Sequence, residues 1–291
     1  MRTRARVGLL ALSLVTSIGP SPRSHAESGD VARRVVSMNP SLTAIALALD
    51  ARTSLVGVDE YSARQQASVR GLPTVGGLFN PSLEAVVALE PDLVVVVPSL
   101  EQRNFRERLE ALGIPVLELP NTDFEAVLRS IEQLGARLGR PEAAQRRVAE
   151  IRRTRARVAN AIRDLPRPRT VLVLQRDPLY VVGPGSFVDE MLDAAGADNV
   201  AGHFDTAYPR VSLEWLLAAA PEVIVDASAD PEPARDYWAR WPSIPAVREG
   251  RVVAVSQDVV TLPGPYLDRA LRTLARTLHG AEWSAPLDAA P

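Results

Sequence analysis

One fourteen-residue unit occurs twice in this chain. Ser82-Leu83-Glu84-Ala85-Val86-Val87-Ala88-Leu89-Glu90-Pro91-Asp92-Leu93-Val94-Val95 returns 130 positions later as Ser212-Leu213-Glu214-Trp215-Leu216-Leu217-Ala218-Ala219-Ala220-Pro221-Glu222-Val223-Ile224-Val225. Six positions are identical and five more are conservative replacements. Ile114-Pro115 and Ile244-Pro245 share the same offset. Each copy spells one local design. A serine caps a helix, a glutamate sits in its first turn, apolar residues face inward, and a proline stops the helix before a buried strand. A repeated helix–strand unit in 291 residues predicts two homologous lobes.

The rest of the pattern agrees. Short β-branched runs predict strands over 34–38, 55–59, 93–97 and 116–119, then over 170–174, 223–225 and 252–255. Helices are expected over 41–50, 82–90, 101–112 and 123–138, and again over 187–195, 212–220 and 265–279. Alternating strands and helices make an α/β fold with parallel sheets and right-handed crossovers. Residues 141–165 are rich in Ala and Arg without Gly or interior Pro, which predicts one helix of about 24 residues between the lobes. Its arginines, Arg146, Arg147, Arg152, Arg153, Arg155 and Arg157, are expected to form a solvated face. The division is then 31–139 for the first lobe, 140–166 for the linking helix, 167–280 for the second lobe and 281–291 for a frayed tail.

Residues 1–26 read as a secretory address. Arg2, Arg4 and Arg6 precede a short apolar run from Val7, and Ser24-His25-Ala26 offers a small-x-small cleavage site. The run is shorter than the ~20 residues a spanning helix needs. With no cysteine to carry a lipid, the expected location is the periplasm, in free form. The missing cysteine also excludes disulfides, thiolate nucleophiles and Cys-ligated metals. A formal net charge of −2 provides no basic excess for nucleic acid. All basic residues are arginine.

Catalytic chemistry has little to work with. The three histidines, His25, His203 and His279, fall in no metal-binding or triad spacing, and no phosphate loop or nucleophile elbow is present. Gly183-Pro184-Gly185-Ser186 reads as a tight turn into a helix. The expectation is a binding protein with no resident cofactor and no metal site. In parallel α/β lobes, ligands sit beyond the C-terminal ends of the strands. Tyr61, Tyr180, Tyr208 and Tyr266 fall in or beside such loops, with Phe79, Phe204, Asp258, Met38-Asn39-Pro40 and Pro98-Ser99. A tyrosine combines a flat apolar face with one polar tip, which suits a large planar ligand with polar edges.

Arg34-Val35-Val36-Ser37-Met38-Asn39-Pro40-Ser41, Val56-Gly57-Val58-Asp59-Glu60-Tyr61-Ser62, Val75-Gly76-Gly77, Pro81-Ser82-Leu83-Glu84 and Glu90-Pro91-Asp92-Leu93-Val94 together resemble the vitamin B12/iron-siderophore class of periplasmic binding proteins. The resemblance extends from about Arg34 to His279. It implies two Rossmann-like lobes joined by one spine helix with a ligand cleft between them, in a substrate receptor that hands its cargo to an ABC permease and its ATPase. Nucleic acid is not an expected partner, and a monomer is expected. In such receptors an exposed glutamate on each lobe docks on the permease, and Glu84 and Glu214 match those positions. For the cargo, cobalamin is the first expectation, with another corrinoid, haem or a ferric siderophore as alternatives, and a periplasmic enzyme acting on a metal-tetrapyrrole as the reading from another class. The implied ligand contacts are Tyr61, Leu78, Phe79, Tyr180, Tyr208 and Asp258. Leu78 and Val97 replace expected aromatics, and Leu262 replaces an arginine. Haem would call on a tyrosine or His203 as axial ligand, and an anionic siderophore on Arg64, Arg176 or Arg210.

Overall fold

The computed structural model describes residues 31–77, 80–100 and 103–280. The expected signal segment and the tail over 281–291 lie outside them. The described residues belong to one compact unit. Its first half alternates β1 (Val35–Ser37), α1 (Pro40–Ala48), β2 (Leu55–Val58), α2 (Glu60–Gln65), α3 (Leu83–Ala88), β3 (Leu93–Val96), α4 (Arg103–Ala111), β4 (Val116–Glu118) and α5 (Phe124–Arg137). The four strands form a parallel sheet in the order β2-β1-β3-β4. After α6 (Pro141–Ile162) come β5 (Arg169–Gln175), β6 (Tyr180–Val181), α7 (Phe187–Ala194), β7 (Asp198–Asn199), α8 (Leu213–Ala219), β8 (Val223–Asp226), α9 (Ala234–Trp238), α10 (Pro245–Arg248), β9 (Val252–Ala254), α11 (Gln257–Val260) and α12 (Leu267–His279). The second sheet runs β6-β5-β8-β9, with β7 also on β5, and only β6 is antiparallel.

The central strands are runs of Val, Leu and Ile buried on both faces, as parallel sheets require. Six of the described helices start on a capping side chain, though the long α6 and α12 do not. Asn39, Asp59, Ser82, Asp123, Ser186 and Ser212 each accept a backbone N–H from the first turn of the helix that follows. The Gly183–Ser186 turn is the local device the sequence suggests. Ser186 caps α7, and the Asp189 carboxylate accepts the Gly185 N–H, which satisfies the turn from within.

The repeat is kept in three dimensions, with one exception. Glu90 and Ala220 occupy equivalent positions, and both have left-handed backbone (φ 45° and 44°). Arg34 donates to the carbonyls of Leu89 and Glu90, and Arg169 donates to that of Ala219. Asp92 accepts the backbone N–H of Arg34, as Glu222 accepts that of Arg169. An arginine at the head of each first strand therefore closes the C-terminal end of the repeated helix. The exception is Ile-Pro. Ile114-Pro115 leads straight into β4, whereas Ile244-Pro245 opens α10. Val94 pairs with the carbonyl of Pro115, but its counterpart Ile224 pairs with that of Arg251. Between β8 and β9 the second lobe has α9 and α10 where the first has α4 between β3 and β4, so the shared offset at Ile-Pro is coincidental.

The linking helix is one helix, α6, and Arg146, Arg152, Arg153 and Arg157 form its expected exposed face. It ends at Ile162 and is packed into the protein, with Ala144, Val148, Ile151, Thr154 and Val158 buried. One hydrophobic core runs from Val35, Leu93, Phe124 and Ile131 through Val148 and Ile151 to Leu172, Val225 and Leu271. Separate clusters fill the outer face of each sheet, around Val36, Val94 and Leu109 in the first lobe and around Val171, Leu216 and Trp238 in the second. Three of its arginines are engaged. Arg152 and Arg155 pair with Glu125 of α5, Arg155 also with Glu190 of α7, and Arg147 with Asp268 of α12.

Candidate functional site

Two contacts bring the C-terminal edges of the sheets together. The Phe124 N–H, which opens α5 just beyond β4, donates to the Glu190 carboxylate of α7 at 2.8 Å. On the other side, residues 261–266 cross from α11 toward α1, where a Cβ at Gly264 would lie 3.6 Å from the Ser41 carbonyl. The loops between these contacts are built on rigid polar networks. In the first lobe, Asp59 accepts the N–H groups of Tyr61 and Ser62 at 2.9 and 3.0 Å and also the Ser62 hydroxyl. Ser62 continues to Thr43 and Thr43 to Ser37, all buried. Burial pushes the Asp59 carboxyl above its ordinary value, against the pull of the hydrogen bonds it accepts. In the second lobe, Asp226 at the end of β8 accepts from Arg176 at 3.0 Å, the Trp238 indole at 2.6 Å and Ser228.

On these supports stand the tyrosines. Tyr61 lies in the first turn of α2, 45% exposed, with the Arg64 guanidinium 4.5 Å from its ring centroid. Tyr180 opens β6 opposite Gln175, the last residue of β5, and bridges to Arg210. Tyr208 is half exposed on the segment that pairs with β6, through Gly183 N–H to Ala207 and Val181 N–H to Pro209. Partial desolvation raises its phenol above the usual range, with the Ser186 side chain acting in the opposite direction. Asp258 is exposed in α11, just beyond β9, and Tyr266 is exposed where α12 begins. The structure thus sets Tyr61 at the edge of one sheet and Tyr180, Tyr208 and Asp258 on the other lobe. Leu78 and Phe79 lie outside the described residues.

Four sequence candidates belong elsewhere. His203 stacks on Phe204 at 4.6 Å, and Phe204 in turn packs on Trp215 of α8. His203 lines a depression of about 460 Å³ with Arg169 and Asp198, which open β5 and β7, so it sits at the opposite edge of the sheet from the tyrosines. Met38 is buried in the core. Arg176 is 6% exposed, neutralised by Asp226 and stacked on Tyr237, so it is no receptor for an anionic ligand. The signal missed was the acid at the end of β8, which marks Arg176 as a buried partner.

Glu84 and Glu214 are exposed in the first turns of α3 and α8, behind equivalent serine caps. The Glu214 backbone N–H and the Ser212 hydroxyl hold the Glu214 carboxyl below its ordinary value.

Residues 35–259 match the family model described as periplasmic binding protein, and the chain belongs to that family. A cobalamin-binding protein of Halobacterium salinarum is 30% identical over 258 residues, covering 84% of this chain and 69% of that protein. Among solved structures, the periplasmic vitamin B12 binding protein BtuF of Vibrio cholerae has a TM-score of 0.75 at 24% identity, over 85% of this chain and 96% of that one. The periplasmic heme-binding protein RhuT from Roseiflexus sp. RS-1 in apo form also has a TM-score of 0.75, at 25% identity, over 86% and 98%.

Proposed function

We propose that this chain is the periplasmic receptor of an ABC importer and that its cargo is a corrinoid, cobalamin in the first place. The observation that carries this reading is the placement of exposed Tyr61 just beyond β2 on the first lobe and of half-buried Tyr180 and exposed Tyr208 along β6 on the second. A corrin macrocycle presents broad apolar faces and a rim of amides. Tyr61, Tyr180 and Tyr208 offer matching faces with hydroxyl tips, and Asp258 offers an acceptor for the amide rim. The relative named for cobalamin binding supports the same cargo. Leu78 and Phe79 belong to the same proposed contact set. Glu84 and Glu214 present one exposed acidic side chain on each lobe for a permease that carries arginines, where charge sets orientation and encounter rate.

Calorimetric titration of the mature chain with cyanocobalamin, hemin and a ferric hydroxamate siderophore tests the cargo. One-to-one binding of cyanocobalamin alone, in the micromolar range or tighter (about −8 kcal/mol or better), is the expected result. Binding of hemin or the siderophore without cyanocobalamin would overturn the corrinoid assignment.

A further inference from the structure

We infer that Arg147 is a positioning residue for the cleft. From the linking helix, it fixes the crossing over 261–266 and the ring of Tyr266, so that ligand affinity depends on it. This rests on the cleft proposed above.

The crossing has little to hold itself in place. It contains Pro263 and Pro265, which have no N–H. Among the described residues, no hydrogen bond is donated by the backbone of Leu262, Gly264 or Tyr266. Tyr266 caps α12 without a side-chain bond. Yet Gly264 and Pro265 are buried, and Gly264 lies against Ser41 of the first lobe. The missing restraint comes from Arg147. Its Nε donates to the Pro265 carbonyl at 2.6 Å, one Nη to Asp268, and the other to Glu150 at 2.6 Å. Its guanidinium carbon is 5.7 Å from the Tyr266 ring centroid. Asp268 is buried and also takes Arg272 at 3.1 Å. One planar fork therefore grips the carbonyl before Tyr266, the ring of Tyr266 and the acid two residues beyond. A lysine offers a point charge and no such plane.

The first measurement is amide hydrogen exchange on the ligand-free protein, for the wild type, Arg147→Met and, as a control, the exposed Arg153→Met. Arg147→Met is expected to speed exchange over 270–272, the start of α12 where the Ala270 amide donates to the Tyr266 carbonyl, by about tenfold or more while α5 and α6 keep their protection. Unchanged exchange in that segment overturns the inference whatever the ligand. The second is titration with cyanocobalamin. Arg147→Met and Arg147→Lys are expected to weaken binding at least about fivefold, with Arg147→Lys melting near the wild type because it still pairs with Asp268. Tyr266→Ala closes a double-mutant cycle. Binding by the double variant no weaker than by Tyr266→Ala alone supports the assignment. Independent, multiplying losses, or wild-type affinity in Arg147→Lys, overturn it. A wild-type chain that ignores cyanocobalamin refutes the corrinoid reading instead and leaves the exchange result to decide the role of Arg147. If Arg147→Met does not fold, Arg147→Lys carries both measurements.

Discussion

Glu90 and Ala220 are 130 residues apart, and each holds the left-handed backbone conformation one residue before a proline. Neither is glycine, so each retains a Cβ strained against the carbonyl that follows, at a cost of roughly 1–2 kcal/mol. The arginines that grip the carbonyls beside them, Arg34 and Arg169, help hold the turn against that strain.

Ala220→Gly relieves the strain and adds back some freedom to the unfolded chain. The net expectation is a gain of about 0.5–1 kcal/mol in urea unfolding. Ala220→Val should lose more than about 1 kcal/mol, since a β-branched side chain is least tolerated there. A destabilised glycine variant would show that the left-handed turn carries no strain.

Asp59 provides a pH test. Burial raises its carboxyl above the ordinary value, so the folded chain keeps this proton to a higher pH than the unfolded chain does. Its contribution is therefore favourable as pH falls through the raised value and unfavourable once the group ionises. Asp59→Asn keeps an acceptor for the Tyr61 and Ser62 N–H groups. It should match or exceed the wild type at neutral pH, with the difference shrinking toward about pH 4. Asp59→Ala removes the cap and should cost about 1–2 kcal/mol across the range. Chemical denaturation at pH 4, 5.5 and 7 reads all three.

Replacing both Glu84 and Glu214 by alanine should separate capture from delivery. Uptake in cells should drop about tenfold or more, while affinity of the purified protein stays within about twofold. The two side chains are exposed and outside the tyrosine set, so a large loss of affinity would refute this division of roles.

Gly183 lets the Tyr208 segment approach. A Cβ there would overlap the Thr206 carbonyl and come within 2.8 Å of Pro209 Cδ. Gly183→Ala should push residues 206–209 away from β6, cost about 1–3 kcal/mol in stability and weaken ligand binding about tenfold. Equal affinity in Gly183→Ala would remove Tyr208 from the contact set.

Much of this architecture is legible in the sequence because it rests on local rules. The Val-rich runs at 93–96 and 223–226 are strands because nothing but a doubly covered sheet would bury them, and Ser82 and Ser212 announce the helices that precede them. The place of Tyr61 just beyond β2 follows from strand order, whereas Tyr180 and Tyr208 take theirs from β6, a two-residue antiparallel strand with no pattern of its own. What stays hidden depends on partners far along the chain. Arg147 and Arg153 look alike in a run of arginines, and only the return of α12 partly covers one and leaves the other in water. Arg176 looks like a loop cation until Asp226, fifty residues on, closes over it. His203 is in a loop either way, and only the pairing of β7 on β5 decides at which edge. The short helices α9 to α11 lack a full period of apolar residues and carry no pattern to read.

The core that passes without a break from the first sheet through α6 into the second has a bearing on cargo exchange. A frame with a common interior offers few alternative shapes between which a ligand could select, so little binding free energy is diverted into reorganising the receptor. Capture should then run at the pace of collision, and long occupancy should come from slow escape. On the proposed function, emptying such a preorganised receptor would take work done by the membrane complex, with the receptor itself changing shape little.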